Sequence, residues 1–179
     1  AQIIDPVTGE VNVCNIEAQS YLYLSWAINV KTKLMANTTD ENDARITKDS
    51  ILGFLSPDGM VAMLSISTGY DAWLNNGDAS FFAKDLEGNG NTAAWRLREG
   101  IERFYITDIN NPAASAQAQS NIFVMSDDVS GARVEYFNHV PGGANVLYMD
   151  GHVAFVKYPG ISPVSRYYSS LIAAAEAML

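Results

Sequence analysis

Two strand-like segments flank the dipeptide Asp150-Gly151 in residues 145–158, a pattern that has few alternatives to an antiparallel hairpin. Both segments are rich in β-branched and aromatic residues, which favour extended backbone. Asp-Gly supplies the positive φ angles of a two-residue turn. Such a turn sets three cross-strand pairs: Met149 with His152, Tyr148 with Val153, and Val146 with Phe155. The sequence therefore predicts an antiparallel sheet that contains this hairpin.

Helical periodicity recurs elsewhere in the chain. In residues 15–36 the apolar positions at helical spacing are Tyr23, Trp26, Ala27, Val30 and Leu34, and Asn37 is suited to end that helix. Further helices are predicted over residues 48–55, from Ser56-Pro57 onward, over residues 92–106, and over residues 165–179. In the last helix the inward positions are Tyr168, Leu171, Ile172 and Ala175. The pattern predicts one α+β domain over residues 1–179, with a long N-terminal helix packed on a small antiparallel sheet.

The remaining segments read as loops and strands. Residues 69–91 are rich in Gly, Asn and Asp, with isolated aromatic residues, and predict a long ordered loop of a kind that often holds a ligand. Residues 121–125 and 133–137 have strand composition. Asn110-Asn111-Pro112 is expected to stop the preceding helix, and residues 113–120 form a linker or a short helix.

The composition limits the kinds of structure and of binding partner that this chain can have. Apolar residues make up 48% of the chain and charged residues 17%, a balance typical of folded proteins and not of disordered ones. The formal net charge is −9, which repels phosphate backbones, so we expect no nucleic-acid partner. Cys14 is the only cysteine, which excludes an internal disulfide, and we expect it in the core. No segment has the continuous apolar length that a membrane span requires.

The two histidines, His139 and His152, are the first candidates for chemistry. With Asp150 between them they could bind a transition metal or exchange protons, although no third firm ligand is identifiable. The alternative is structural. His139 would hydrogen-bond into the loop Pro141-Gly142-Gly143, and His152 would be a cross-strand partner of Met149.

Residues 85–91 resemble the start of a calcium loop. Oxygen-bearing side chains alternate at Asp85, Glu87, Asn89 and Asn91, with a glycine at the sixth position. The twelfth position is Arg96, where a regular loop has glutamate. The segment is therefore a candidate for an irregular calcium site, with a simple polar turn as the alternative.

A hydrolase is the third possibility for this chain. No Gly-x-Ser-x-Gly elbow marks a nucleophile, so a triad would have to join Ser126 to a histidine and an acid. Asp127 and Asp128 are adjacent carboxylates, a pattern more typical of a solvated loop than of a catalytic pair. The sequence predicts no catalytic residue, and an enzyme is not expected.

Residues 137–156, FNHVPGGANVLYMDGHVAFV, resemble the C-terminal signature of bacterial prepilin-like proteins. That signature consists of a histidine, a short glycine-bearing spacer of nine residues, and Asp-Gly. Here the spacer holds ten residues, 140–149, and the signature residues are His139, Gly142, Gly143, Asp150 and Gly151. The segment LREGIERFYITDINNP, residues 97–112, is also similar to members of the group, so the resemblance covers about residues 92–158.

The resemblance implies a structural subunit of a type IV pilus-like filament or a type II secretion pseudopilus. Such proteins are exported, trimmed by a prepilin peptidase, and assembled through an apolar N-terminal helix. The implied location is extracellular or on the cell surface, and periplasmic for a pseudopilin. Its partners would be copies of itself or other pilin-like subunits. The apolar helix is missing from these residues, and we expect it to have been removed or to come from a separate chain.

Two function classes follow. In the first, the chain is a non-enzymatic filament subunit whose contacts come from the C-terminal helix and from four aromatic residues: Tyr70, Trp73, Phe81 and Phe82. In the second, it is a secreted module that binds calcium or a carbohydrate with residues 69–91, because aromatic and amide side chains suit sugar faces and hydroxyls.

Overall fold

A computed structural model describes residues 21–23, 25–105, 118–129, 139 and 142–176. Within these residues the chain is a mixed α+β fold with two antiparallel sheets. The strands are β1 (Tyr21–Tyr23), β2 (Trp26–Ala27), β3 (Leu86–Glu87), β4 (Thr92–Arg96), β5 (Phe123–Asp127), β6 (Gly143–Tyr148) and β7 (Val153–Lys157). The α-helices are α1 (Pro57–Asn76) and α2 (Arg166–Glu176), and none of the helices in this part of the chain is long and apolar enough to cross a membrane.

The predicted helix over residues 15–36 is wrong across its described part. Residues from Tyr21 onward form β1, β2 and a π-helical turn at Val30–Leu34. Aromatic residues fit the spacing of a helix and that of a strand. The segment forms strands because β1 pairs with β5 and β2 pairs with β4. The turn ends at Met35, and Asn37 lies two residues further on with a left-handed φ of 60°.

Helix α1 begins where the sequence indicates. The side chain of Ser56 accepts a hydrogen bond from the Gly59 N–H at 3.0 Å, and Pro57 occupies the first helical position. The helix then continues to Asn76, so the loop predicted from residue 69 is wrong over its first eight residues. Phe81 packs directly against the backbone of α1 at Gly69, where a Cβ would lie 2.2 Å from Phe81 Cγ. The helix predicted over residues 48–55 is reduced to a 3₁₀ turn at Ile51–Phe54.

The helix predicted over residues 92–106 is also wrong. Residues Thr92–Arg96 form β4, the central strand of the three-stranded sheet, and a 3₁₀ turn follows at Ile101–Phe104. Ala93 and Ala94 favour helix locally, yet both are fully buried. Pairing with strands on both sides therefore overrides the local preference.

The four-stranded sheet has the order β1-β5-β6-β7 and packs one face on the main core. Strand β5 confirms the strand predicted over residues 121–125, displaced by two residues. The β6–β7 hairpin is confirmed, but its register is wrong by one residue. Leu147 pairs with Val153, and the turn holds three residues, 149–151, closed by a bond from the Tyr148 N–H to the His152 carbonyl. Gly151, with φ of 89°, supplies the left-handed position of this longer turn.

Helix α2 confirms the predicted terminal helix and its inward face. Tyr168 is buried in the core, and Leu171, Ile172 and Ala175 pack against it. The Asn42 side chain caps the helix by accepting from the Arg166 N–H at 3.0 Å. Cys14, Asn110-Asn111-Pro112, most of residues 113–120 and the strand predicted over residues 133–137 lie outside the described residues.

Candidate functional site

The two faces of the four-stranded sheet differ in character, because successive residues of a strand point to opposite sides. The inner face rests on the core and includes Leu22, Ser126, Ala144, Val146, Ala154 and Val156. We define the outer face as Tyr21, Tyr23, Met125, Asp127, Asn145, Leu147, Val153 and Phe155. The signature histidine contacts this outer face.

Asp127 is the centre of a hydrogen-bonded cluster on the outer face. Its Oδ2 lies 2.7 Å from the Asn145 backbone N–H, 3.0 Å from Asn145 Nδ2 and 2.9 Å from His139 Nε2. The Asp127 side chain is only 5% exposed, whereas that of His139 is 46% exposed. The buried carboxylate therefore anchors a partly exposed histidine. Among the described residues, the partners of His139 are Asp127 and Asn145. The predicted contact with the loop at residues 141–143 stays a prediction, because Pro141 lies outside the described residues.

The shared contacts of this cluster indicate which hydrogen bond the Nε2 atom of His139 makes. Asn145 Nδ2 also lies 2.9 Å from His139 Nε2, but both groups point at the same carboxylate oxygen. A carboxylate is the strongest acceptor available, so we assign the Nε2–H of His139 as a donor to Asp127. The contacts of the described residues leave Oδ1 of Asp127 without a hydrogen-bond donor.

The two signature glycines each meet a steric requirement. Gly142 has φ of 135°, a conformation that L side chains rarely adopt. At Gly143 a Cβ would lie 2.4 Å from Cζ of Phe155 and 2.9 Å from the Val156 carbonyl oxygen. The Phe155 ring thus lies over Gly143, and the edge of the His139 ring meets it at a centroid distance of 5.9 Å.

Asp150 and Gly151 form the turn at the other end of the hairpin. Oδ1 of Asp150 accepts from the His152 N–H at 3.1 Å and lies 2.6 Å from His152 Nδ1. The His152 ring stacks on Tyr148 at a centroid distance of 4.4 Å. His152 is therefore a partner of Tyr148 and not of Met149, in line with the one-residue shift of register.

We expect the carboxyl group of Asp150 to have a pKa below its ordinary value of about 3.9. The His152 backbone N–H lowers this pKa most, followed by the His152 side chain. Because the folded-state pKa is depressed, the contact stabilises the turn above the unfolded pKa, and that stabilisation is lost as the pH falls through the folded pKa. Carbon-13 NMR titration of the Asp150 carboxyl group measures it.

The variant His152→Ala is the matched test of that titration. It removes the ring but keeps the backbone N–H, so the Asp150 pKa should rise part of the way towards its ordinary value. An unchanged pKa in His152→Ala would show that the ring contributes nothing.

The two histidines do not share a site. Asn145, which contacts His139, and Tyr148, which contacts His152, are three residues apart on β6, or about 10 Å along the strand. Across the part of the chain that the structure describes, no three His, Cys, Asp or Glu side chains form a group that could hold a metal ion.

Of the four residues of the candidate calcium loop, Asp85 already has partners within the chain. Both carboxylate oxygens of Asp85 are engaged, Oδ1 by the Arg96 N–H at 2.8 Å and Oδ2 by the Arg98 guanidinium at 3.3 Å. The side chains of Glu87, Asn89 and Asn91 are exposed. The hydrogen bond that Asn89 makes is through its backbone N–H, which donates to Asp58 Oδ1 at 2.8 Å.

The serine considered for a catalytic triad is on the wrong side of β5. Ser126 is 4% exposed and pairs with Leu22 and Val146 on the inner face, whereas Asp127 and His139 meet on the outer face. Burial raises the pKa of the neighbouring Asp128. The arrangement of Ser126, Asp127 and His139 can hold the strands together, but it does not present a nucleophile to the histidine.

An apolar cleft of about 110 Å³ lies between α1 and α2. Its walls include Ala62, Met63 and Ile66 from α1 and Leu171 and Ile172 from α2. Tyr168 also lines the cleft, and its buried hydroxyl has no hydrogen-bond partner among the described residues. Burial raises the pKa of this hydroxyl. The cleft can accept an apolar group.

Sequence reasoning missed three residues of the outer-face cluster. The sequence pattern predicts a solvated loop carboxylate at Asp127 and ordinary strand residues at Asn145 and Phe155. A usable signal is the pair Gly142-Gly143 at the start of β6, because glycine in a strand often marks close approach of another group. Comparison of the chain with protein-family models, with curated proteins and with solved structures found no match.

Proposed function

We propose that this chain is the pilin-like head of a structural subunit in an extracellular filament or a secretion pseudopilus. The observation that carries the proposal is the use made of the signature residues. His139 and Gly143 order one end of the β6–β7 hairpin, and Asp150-Gly151 turn the other. The signature residues therefore stabilise the sheet. This structural role suits a subunit that functions through its surface contacts.

The surface of α1 supports the same proposal. This twenty-residue helix carries only two charged side chains, Asp58 and Asp71. Its solvent side includes Leu64, 60% exposed, and Leu74, 59% exposed, in addition to the residues that it buries. A helix that is apolar on more than one side favours contact with a second partner.

The aromatic residues expected to make subunit contacts divide into two sets. Phe81 and Phe82 pack around Trp26, at centroid distances of 5.3 and 6.0 Å, and are half-buried. Trp73 is 43% exposed on α1, 5.5 Å from Tyr70. In the proposed subunit, Trp73 contacts neighbouring subunits together with Leu64 and Leu74. Phe81 and Phe82 instead stabilise the fold.

In this proposal the apolar assembly helix is a segment that has been removed, or it comes from a separate chain. Partners are copies of the chain or other pilin-like subunits, and the location is the cell surface or, for a pseudopilus, the periplasm. A calcium- or carbohydrate-binding loop at residues 69–91 has less support, because Asp85 is already paired and residues 69–76 are helical.

Electron microscopy of native, cell-shed material labelled with an antibody to this chain tests the proposal. We expect regular labelling along ordered filaments. Labelling of monodisperse particles alone, in cells that make the protein, would refute the filament role.

A pair of charge variants adds a matched control. Leu64→Glu combined with Leu74→Glu should keep the fold, since both side chains are exposed, but should exclude the chain from filaments. Ile161→Glu places one such charge at a site of similar exposure, 58%, outside α1, and should assemble normally. Equal incorporation of both proteins would contradict the role of α1.

A further inference from the structure

The outer face presents two rows of side chains across all four strands. One row runs from Tyr21 through Asp127 and Asn145 to Phe155. The second row is Tyr23, Met125, Leu147 and Val153. Three strand spacings of about 4.8 Å separate the ends of each row, so the face is roughly 14 Å wide. The four residues at the ends of the rows, Tyr21, Tyr23, Val153 and Phe155, are each more than half exposed.

Phe155 is exposed and yet held in place. Its side chain is 58% exposed, but its ring rests on Gly143 and meets the edge of His139. Exposed aromatic rings are normally free to change rotamer, whereas this ring has a glycine beneath it where no other side chain fits. The face therefore offers a flat apolar platform in a fixed position.

A hydrogen-bond acceptor lies between the aromatic residues. Asp127 Oδ2 holds three donors, and the contacts of the described residues leave Oδ1 without one. The Asp127 side chain is only 5% exposed, so its carboxylate cannot move to find another partner. A ligand hydroxyl on this face would meet an ordered acceptor.

A groove continues the second row of the face. It has a volume of about 390 Å³, and its lining includes Tyr23, Leu147, Met149, Leu97 and Arg98. Volumes of this order are typical of small-molecule sites. The Arg98 guanidinium, paired with Asp85 at 3.3 Å, adds hydrogen-bond donors at the rim.

We propose that the outer face and its groove bind a neutral oligosaccharide. Sugar rings have apolar C–H faces that pack on aromatic rings, and hydroxyls that need ordered acceptors and donors. Phe155 and Tyr23 supply the rings, Asp127 the acceptor, and Arg98 a donor. The net charge of −9, with a carboxylate at the centre of the face, disfavours phosphate-bearing and anionic ligands.

The polar centre distinguishes a sugar from a protein partner. Protein interfaces have an apolar centre from which charge is depleted, with a polar rim. Here a buried carboxylate, that of Asp127, lies in the middle beside the apolar Met125 and Leu147. Three of the four exposed residues at the edges are aromatic. The proposal is independent of filament assembly, which concerns α1.

The test is a titration of the protein, followed by proton–nitrogen NMR, with four neutral hexasaccharides: β-1,4-glucose, β-1,4-N-acetylglucosamine, β-1,4-mannose and α-1,4-glucose. At least one should shift the resonances of the Asn145 side-chain amide and of strands β6 and β7. Phe155→Leu keeps an apolar side chain without the ring and should weaken that binding about tenfold, the scale of one aromatic contact.

Leu74→Ala is the matched control, because Leu74 is equally exposed but lies on α1. It should bind the sugar as the unaltered protein does. The proposal is overturned if none of the four sugars shifts the outer face, or if Phe155→Leu binds with unchanged affinity. It is also overturned if Phe155→Leu abolishes assembly of the chain, since the face would then be a subunit contact. Loss of filaments in the α1 variants with sugar binding intact would leave this proposal standing.

Discussion

Asp127→Ala is expected to lower the free energy of unfolding by about 3 kcal/mol, because it leaves a buried backbone donor and two side-chain donors without their acceptor. The carboxylate oxygen holds the Asn145 N–H at 2.7 Å, the Asn145 side chain at 3.0 Å and His139 at 2.9 Å. Burying the Asp127 carboxylate costs free energy in the folded protein. Removing it nevertheless destabilises the fold, because the three donors stay in place and lose their hydrogen bonds. Urea unfolding followed by circular dichroism measures the change.

Asp128→Asn is the neighbouring control for this loss. Burial raises the pKa of Asp128, which means that folding disfavours its ionised form above the unfolded pKa. Removing that charge at pH 7 should leave the unfolding free energy unchanged or slightly higher. If Asp127→Ala cost no more than Asp128→Asn, the cluster would contribute nothing to the sheet.

The parts of the fold that sequence alone predicts are those decided by local chemistry. Ser56-Pro57 starts α1 because the serine caps the next turn and proline fits its first position. Asp150-Gly151 turns the hairpin, although the sequence does not distinguish a two-residue from a three-residue turn, and the register shifts by one residue.

The parts that sequence alone misses are decided by distant pairing. Ala93 and Ala94 favour a helix by propensity, but β2 and β3 flank them and bury both completely. Trp26 fits a helical stripe equally well, yet its strand pairs with Arg96, seventy residues away along the chain. Local preferences of under about 1 kcal/mol per residue cannot outweigh such burial.

The candidate site was only half predictable for the same reason. The signature located His139 and the glycines, because those residues stand close together in the sequence. Their partners, Asp127 on β5 and Phe155 on β7, come from strands on either side of β6, and the sheet order that joins them is set by the whole fold.

Gly143→Ala is expected to destabilise the protein by about 2 kcal/mol, within the range for overpacking a close contact. The new Cβ would lie 2.4 Å from the Phe155 ring and 2.9 Å from the Val156 carbonyl oxygen. The ring would have to leave its position over residue 143, and the carbonyl, which belongs to the neighbouring strand, moves only with the ladder. Gly53→Ala is the matched control, because a Cβ there meets nothing within 4 Å, and it should change the unfolding free energy by less than about 0.5 kcal/mol.

The double variant Gly143→Ala with Phe155→Ala separates the two clashes. If the ring contact causes most of the loss, the double variant should be less destabilised than the sum of the single variants. If the carbonyl contact causes it, the effects should add. Equal unfolding free energies for Gly143→Ala and Gly53→Ala would contradict both clashes, and with them the fixed position of Phe155 on which the sugar-binding platform depends.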